Sequence, residues 1–429
     1  MIENREYRIK RSQVGNIRSL HNTITELIGP NALRWYVSEI TRAELVIEAT
    51  ICNDNLRVFD QSVDETYYPG KSVVVNIIPT GVGCEIGGYA GDAAPATNLL
   101  AAAADYLVTN PNAVNASNFI SLERNVVYTE GFCIDLFCKG LIDLYIPYAN
   151  RVGLIIEEAD ERQLDVVFNI VNTVKAVYGI NIVDYVITKQ PIGSRCVRNK
   201  SGAYVGSIDR PEVILDACAA LIDKGANAIA ITSNVQDLPR EEYALHFAGQ
   251  DANPTGGVEA VISHLITNQF RVPAAHAPMI NVKDIDFRDQ VVDARAAGEM
   301  ASESGLACVL IGLHRAAQIT RARRAQIADA VNVNNLLAVV APAGCMGGIP
   351  TIYAQLRGVP VIAVDENRTL LGITPSMMGF DNVIEARSYA EAAGIVMALK
   401  RGINLESISR PLTTMKYEVA DRELVTSVA

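Results

Sequence analysis

Two glycine-dense segments hold the residues best suited to chemistry. Residues 79–92 read Pro-Thr-Gly-Val-Gly-Cys-Glu-Ile-Gly-Gly-Tyr-Ala-Gly-Asp, and residues 342–350 read Pro-Ala-Gly-Cys-Met-Gly-Gly-Ile-Pro; each follows an apolar run. Gly81, Gly83, Gly87 and Gly88 let a backbone turn sharply and gather N–H groups in one small space, which suits a carboxylate or phosphate. Gly347 and Gly348 repeat the device. Cys345 is the preferred thiol, because glycines flank it and a following helix N-terminus would stabilise its thiolate. Cys84 stands in the matching place. The competing reading is that both cysteines fill tight turns as small hydrophobes.

Proton carriers and carboxylates come next. His276 lies among small residues at a strand end before Pro278, where it can point into a cleft, whereas His264 falls in an amphipathic helix, the commoner setting of a structural histidine. Asp365 and Glu366 end an apolar run, where carboxylates of open α/β sheets meet substrate hydroxyls or amines. Asp92 ends the first loop in the same way, and for each of these a capping role is the alternative. Asn110, in a Thr-Asn-Pro-Asn turn, would present an amide nearby. Cys133 and Cys138 are five apart on a predicted helix and share no face, and neither Cys-x-x-Cys nor His-Glu-x-x-His occurs, so no metal or other cofactor is expected. The glycine spacing matches neither a P-loop nor a dinucleotide fingerprint.

The elements that must position these residues alternate. From residue 71 onward, short β-branched runs (72–78, 106–109, 125–128, 151–156, 182–188) alternate with helical patterns after Pro95 and over 161–178, the signature of βαβ units. A second set follows: helices over 211–224, 257–268, 288–304, after Pro350 and over 389–401, with strands at 226–232, 272–276, 306–312, 336–341 and 359–364. The fold class is α/β: two Rossmann-like units with mainly parallel sheets, at 71–205 and 206–429, plus a small N-terminal α+β appendage at 1–70. The appendage holds a helix near 14–28, a strand at 43–51 and a polar tail over 54–70. The boundary between units is expected between residues 189 and 210, where Pro191, Gly193, Gly202 and Gly206 cluster.

Bulk properties limit the functions available. With 49 % hydrophobic and 6 % aromatic residues, the core must be built from Ala, Val, Ile and Leu. A net charge of −11 argues against nucleic acid as a partner. The basic cluster of Arg315, Arg321, Arg323 and Arg324 reads as a solvated helix face. Scattered cysteines in apolar runs, a charged amino terminus and the lack of a membrane-length apolar stretch lead to an expectation of a cytoplasmic protein with no membrane partner. The sequon at residues 115–117 is then coincidental. The Ala-rich apolar helices make a homo-oligomer plausible.

Several strings together resemble a family known only as domain of unknown function 3326. They are residues 79–83 and 86–93, Gly257-Val-Glu-Ala-Val-Ile-Ser-His264, Ala275-His-Ala-Pro278, Val309-Leu-Ile-Gly-Leu313 and Asp365-Glu-Asn367, a resemblance spanning about residues 71–405. In that family the position of Cys84 is commonly a small residue, which favours Cys345 as the working thiol. The resemblance implies no activity. In layout alone, two facing thiols would be similar to cofactor-independent amino-acid racemases, with Cys84 and Cys345 on opposite faces of one carbon. The residues point first to an enzyme acting on a small anionic, carboxylate- or amide-bearing metabolite, with Cys345 as nucleophile or acid/base and His276 as proton partner; isomerase, lyase and hydrolase chemistry stay open. A transferase gripping a phosphorylated or nucleotide-linked substrate and a non-catalytic metabolite sensor are the alternatives.

Overall fold

The computed structural model describes residues 2–52, 71–89, 91–114, 122–236, 240–279, 290–300, 305–320 and 330–416. The polar tail over 54–70, the sequon, residues 288–289 and 301–304, and Arg321, Arg323 and Arg324 lie outside the described residues; the described part of the helix expected over 288–304 is helical only at Ala297–Met300.

The fold is α/β. One all-parallel sheet of six strands runs in the order Val383–Ala386, Val361–Val364, Leu336–Pro342, Val73–Asn76, Tyr106–Thr109, Val126–Tyr128. A second, four-stranded and also parallel, runs Ala274–Pro278, Ala228–Ser233, Arg151–Ile156, Asn181–Ile187. The strands of each are bought into place by nothing more than alternating faces: Val74 packs in one core cluster, while Val73 and Val75 pack in another on the opposite side.

The six-stranded sheet does not follow the expected division at residues 205 and 206. It takes three strands from 73–128 and three from 336–386, and the two sets run outward in opposite directions from the central pair. Val73–Asn76 and Leu336–Pro342 are that pair, in parallel register through Val75 and Val339. Their carboxyl ends therefore meet at a topological switch point, where open α/β sheets bind ligands. Both glycine–cysteine loops leave from there.

The first 52 residues are not a separate appendage. Strands Ile2–Lys10, Ala32–Ile40 and Glu44–Cys52 join Val235–Gln236, Ser194–Arg198 and Tyr204–Ile208 in a mixed six-stranded sheet. The stretch read as a boundary at 189–210 thus contains an antiparallel hairpin, with Val197 opposite Val205. The glycines there serve packing: a Cβ on Gly206 would come within 2.3 Å of the Val258 backbone. One further expectation is overturned. Residues 306–312 form no strand but the start of the helix Leu306–His314, because a nine-residue apolar run buried on all sides carries neither a period of 2 nor one of 3.6.

Candidate functional site

A cavity of ≈ 320 Å³ lies where the carboxyl ends of the two parallel sheets meet the mixed sheet. Ile78 and Pro79 come from the first loop, Cys345, Gly347 and Gly348 from the second, and His276 from the strand Ala274–Pro278. The mixed sheet closes one side with Arg34 and Tyr36. That wall is fixed directly to the second loop, since Val37 N donates to Gly347 O at 3.1 Å. A Cβ on Gly347 would stand 2.5 Å from Val37 O, so the approach requires glycine.

The helix Gly256–Phe270 supplies the polar face. Gly256, Glu259, Ala260, Ser263 and His264 line the cavity, a stripe at helical spacing on an otherwise buried apolar helix. His264 Nδ1 lies 3.1 Å from Glu130 Oε2, within ion-pair distance, and makes no hydrogen bond of ordinary geometry. Glu130 caps the helix Gly131–Lys139 and accepts from Phe132 N at 2.9 Å and Cys133 N at 2.8 Å. Burial would raise its carboxyl, but the charge and contact of His264 and those two N–H groups outweigh it and hold Glu130 below the ordinary carboxylate range.

Two other carboxyls move the opposite way. Burial pushes Glu259 up to about 7, with Glu299 adding repulsion against the opposing bond from Thr255. Burial likewise pushes Asp135 up to about 6. A chain of bonds fixes this end of the cavity: Tyr243 Oη donates to Thr255 Oγ1 (3.4 Å), Thr255 Oγ1 to Asn253 Oδ1 (2.8 Å) and Asn253 Nδ2 to Glu299 Oε1 (3.0 Å).

Of the four expected catalytic residues, Cys345, His276 and His264 line the cavity and Cys84 does not. Cys84 is fully buried with its Sγ 3.5 Å from Pro79 O, and burial raises its thiol well above the ordinary value. Cys345 contacts Thr369 Oγ1 at 3.3 Å, and burial pushes its thiol up to about 12 despite the helix that begins at Ile349. Desolvation here exceeds the helix-terminus effect on which the thiolate expectation rested. His276 bonds Ser233 Oγ through Nε2 at 2.8 Å, and burial lowers it to about 3, so the ring is neutral.

The first loop contains its own anion. Asp92 Oδ1 accepts from Gly87 N at 3.0 Å, Asn367 Oδ1 accepts from Ile86 N at 2.8 Å, and Arg368 O accepts from Glu85 N. Gly81, Gly83, Gly87, Gly88 and Asp92 are therefore absent from the cavity lining, and the space expected for a substrate anion is filled by the Asp92 carboxylate. Gly81 instead meets the Tyr204 backbone, which a Cβ would approach to 2.2 Å. Asn110 does line the cavity, but both ends of its amide are bound to Ile78, through N at 3.1 Å and O at 2.8 Å. Asp365 is exposed, and Glu366 accepts from Tyr389 N at 2.7 Å ahead of a helix; neither reaches the cavity. Capping explains Glu366.

The model of the family described as a protein of unknown function (DUF3326) matches residues 73–409. The chain belongs to this family. An uncharacterized lipoprotein of a Synechococcus strain is 35 % identical over 356 residues, which make up 82 % of this chain and 98 % of that protein. No solved structure matches. The match includes both loops, Glu130 and the 256–270 helix; Arg34 and Tyr36 lie before it. No helix among the described residues is long and apolar enough to cross a membrane. Among those residues, no three His, Cys, Asp or Glu side chains are grouped to hold a metal ion.

Sequence reasoning missed Glu130, Glu259, Asp135 and Arg34. Only Glu259 left a signal: with Gly256, Ser263 and His264 it forms a polar stripe at spacings of three and four in an apolar helix.

Proposed function

We propose that this protein is an enzyme that transfers a proton on a small metabolite held in the ≈ 320 Å³ cavity, with His264 as base and Glu259 as acid. The observation that carries this reading is a pair of carboxyls in one cavity driven apart: Glu130 is held ionised beside His264, and Glu259, which lines the cavity from the same helix as that histidine, is raised to about 7. Such divergence separates acid from base in one site. Glu130 lies 3.1 Å from Nδ1 of the imidazole and would offset the positive charge that develops as Nε2 takes a proton from the substrate. Glu259 starts protonated near neutrality and returns a proton to the developing product. Isomerase, lyase and hydrolase chemistry all use such a pair. The thiol-based version loses ground, because Cys345 holds its proton. The transferase reading drew on Asp365 and Glu366, which stand outside the cavity. A cytoplasmic setting stays part of the proposal on the strength of the scattered, mostly buried cysteines; the word lipoprotein describes the relative.

The test is turnover of pooled small metabolites, followed by mass spectrometry. His264→Gln and Glu259→Gln should each slow conversion by about 10²–10⁴-fold, the usual worth of a general acid or base. Conversion by His264→Gln at the wild-type rate would refute the proposal. Binding without any turnover in the wild type would make the protein a sensor instead.

A further inference from the structure

The charge in the cavity is lopsided in a way the proton-transfer pair does not need. Among the described lining residues stand four carboxyls, those of Glu130, Asp135, Glu259 and Glu299, and one guanidinium, Arg34. Lys139 also acts on Asp135 through charge but does not line the cavity, and two arginines nearby are paired. Arg295 reaches Asp293 at 2.8 Å and Glu85 at 2.9 Å, and Arg198 reaches Asp251 at 3.0 Å. Arg34 forms no ion pair or hydrogen bond with a described residue; its guanidinium rests 5.4 Å from the centroid of the Tyr36 ring. Asp135, one carboxyl that feels its charge, is raised by burial to about 6 and so is a weak partner near and below that pH.

The arginine is held as a positioned group would be. Tyr36 Oη donates to Glu48, which also accepts from Asn199 Nδ2 at 2.5 Å, so the ring beneath Arg34 is fixed from behind. The strand itself is tied to the second loop through Val37 and Gly347. A half-buried guanidinium with open donors is matched best by a planar acceptor that takes two parallel N–H bonds. Elsewhere in the lining, Glu259, Glu299 and the Tyr243 chain offer acceptors to a neutral or basic group.

We infer that Arg34 binds the carboxylate of the substrate, so that the cavity takes a small carboxylate whose remaining part is neutral or carries an amine. This rests on the proton-transfer reading for the location of the site. A dianionic phosphate fits less well, because four carboxyls share the lining. The anion sought by sequence in the first glycine loop is thereby assigned to a residue of the mixed sheet. The assignment also divides the labour: acid–base groups come from the segment that the family model matches, and the carboxylate anchor comes from the strands before it.

The experiment uses the full chain in low-salt buffer, with thermal shift followed by calorimetry. The probes are the L-amino acids, short mono- and dicarboxylates, ethylamine and putrescine as amines lacking the acid, and inorganic phosphate. At least one carboxylate should raise Tm while the amines do not. Arg34→Gln should weaken that probe by about 10- to 100-fold, as expected when a charge-assisted pair is lost, and Arg34→Lys should recover only part because an ammonium cannot bind bidentately. Circular dichroism and apo Tm establish that both variants fold. The inference is overturned if Arg34→Gln binds the best probe as tightly as wild type, if the amines match the acids, if only phosphate binds, or if no probe binds. His264→Gln separates the two proposals: it should bind the carboxylate unchanged while losing turnover, and retained turnover would sink the proton-transfer reading and leave the anchor standing.

Discussion

The two glycine–cysteine loops leave adjacent parallel strands at the same end of one sheet and both reach the cavity, yet the first keeps its Gly-Gly pair, Cys84 and Asp92 out of it and the second presents its Gly-Gly pair and Cys345 to it. In the first, Gly88 packs against the loop's own backbone, Asp92 takes an N–H that a ligand would need, and Cys84 is sealed. In the second, Gly347 packs against a strand from the beginning of the chain, and the loop presents Cys345, Gly347 and Gly348 to the cavity. A run of glycines shows only that a backbone comes close to something. Whether that something is a ligand depends on who already holds the N–H groups.

The sharpest way to break this contrast is to add a methyl to the second glycine of the Gly-Gly pair in each loop. A Cβ on Gly88 would lie 2.1 Å from Cys84 O, which is backbone and cannot step aside. Gly348 has an ordinary extended conformation (φ −85°, ψ 159°), and its nearest neighbour would be Pro350 Cδ at 3.7 Å. Gly88→Ala should therefore cost at least about 3 kcal/mol of unfolding free energy, and Gly348→Ala less than about 1 kcal/mol. Denaturant titration measures both. Equal effects would mean that the first loop is not self-packed as described.

Much of the scaffold around these loops was legible because it depends on local periodicity. The strands Tyr106–Thr109 and Arg151–Ile156 and the helix Glu161–Tyr178 occur at the expected bounds, the helix with Asp160 capping its start and left-handed Gly179 at its end. The switch point was half legible, since the echo of the two loops was visible but their adjacency needed a strand pairing across some 260 residues. The acid–base site was less so. Glu130 and His264 come from helices far apart in the chain, and the value of Glu130 lies in a burial that no spacing reports. Arg34 was overlooked because residues 1–70 read as a unit apart, although Ile2 pairs with Ile208 and so brings the whole hairpin to the cavity.

A smaller change to the first loop tests its internal anion. In Asp92→Ala, Gly87 N loses its acceptor in a half-buried setting, at an expected cost of about 1–3 kcal/mol. Because burial raises the Asp92 carboxyl even against its N–H bonds, the folded state binds its proton more tightly than the unfolded chain does. This residue therefore favours folding below the unfolded carboxylate pKa, and that contribution falls as pH rises toward the folded value. The difference in stability between wild type and Asp92→Ala should follow the same direction across pH 3.5–6. A difference that grew with pH instead would mean that the loop prefers the ionised carboxylate, and the burial argument would be wrong.

The smallest effect is expected at the residue that first drew attention. With its thiol pushed up to about 12, Cys345 at pH 8 is ionised in only about one molecule in 10⁴, and thiol alkylation is correspondingly slow. The rate of iodoacetamide labelling at Cys345, followed by peptide mass spectrometry, should rise about tenfold per pH unit from 7 to 9. Cys345→Ser should change turnover by less than about fivefold, because a hydroxyl keeps the shape and the Thr369 partner while removing only a proton that stays bound. Cys84 offers the contrast: it is fully buried against Pro79 O, so it should resist labelling throughout that range in the folded protein. Fast labelling of Cys345 at pH 7, or a loss of activity in Cys345→Ser as large as that in His264→Gln, would restore the thiol to the reaction and make the open loop, not the helix stripe, the source of its chemistry.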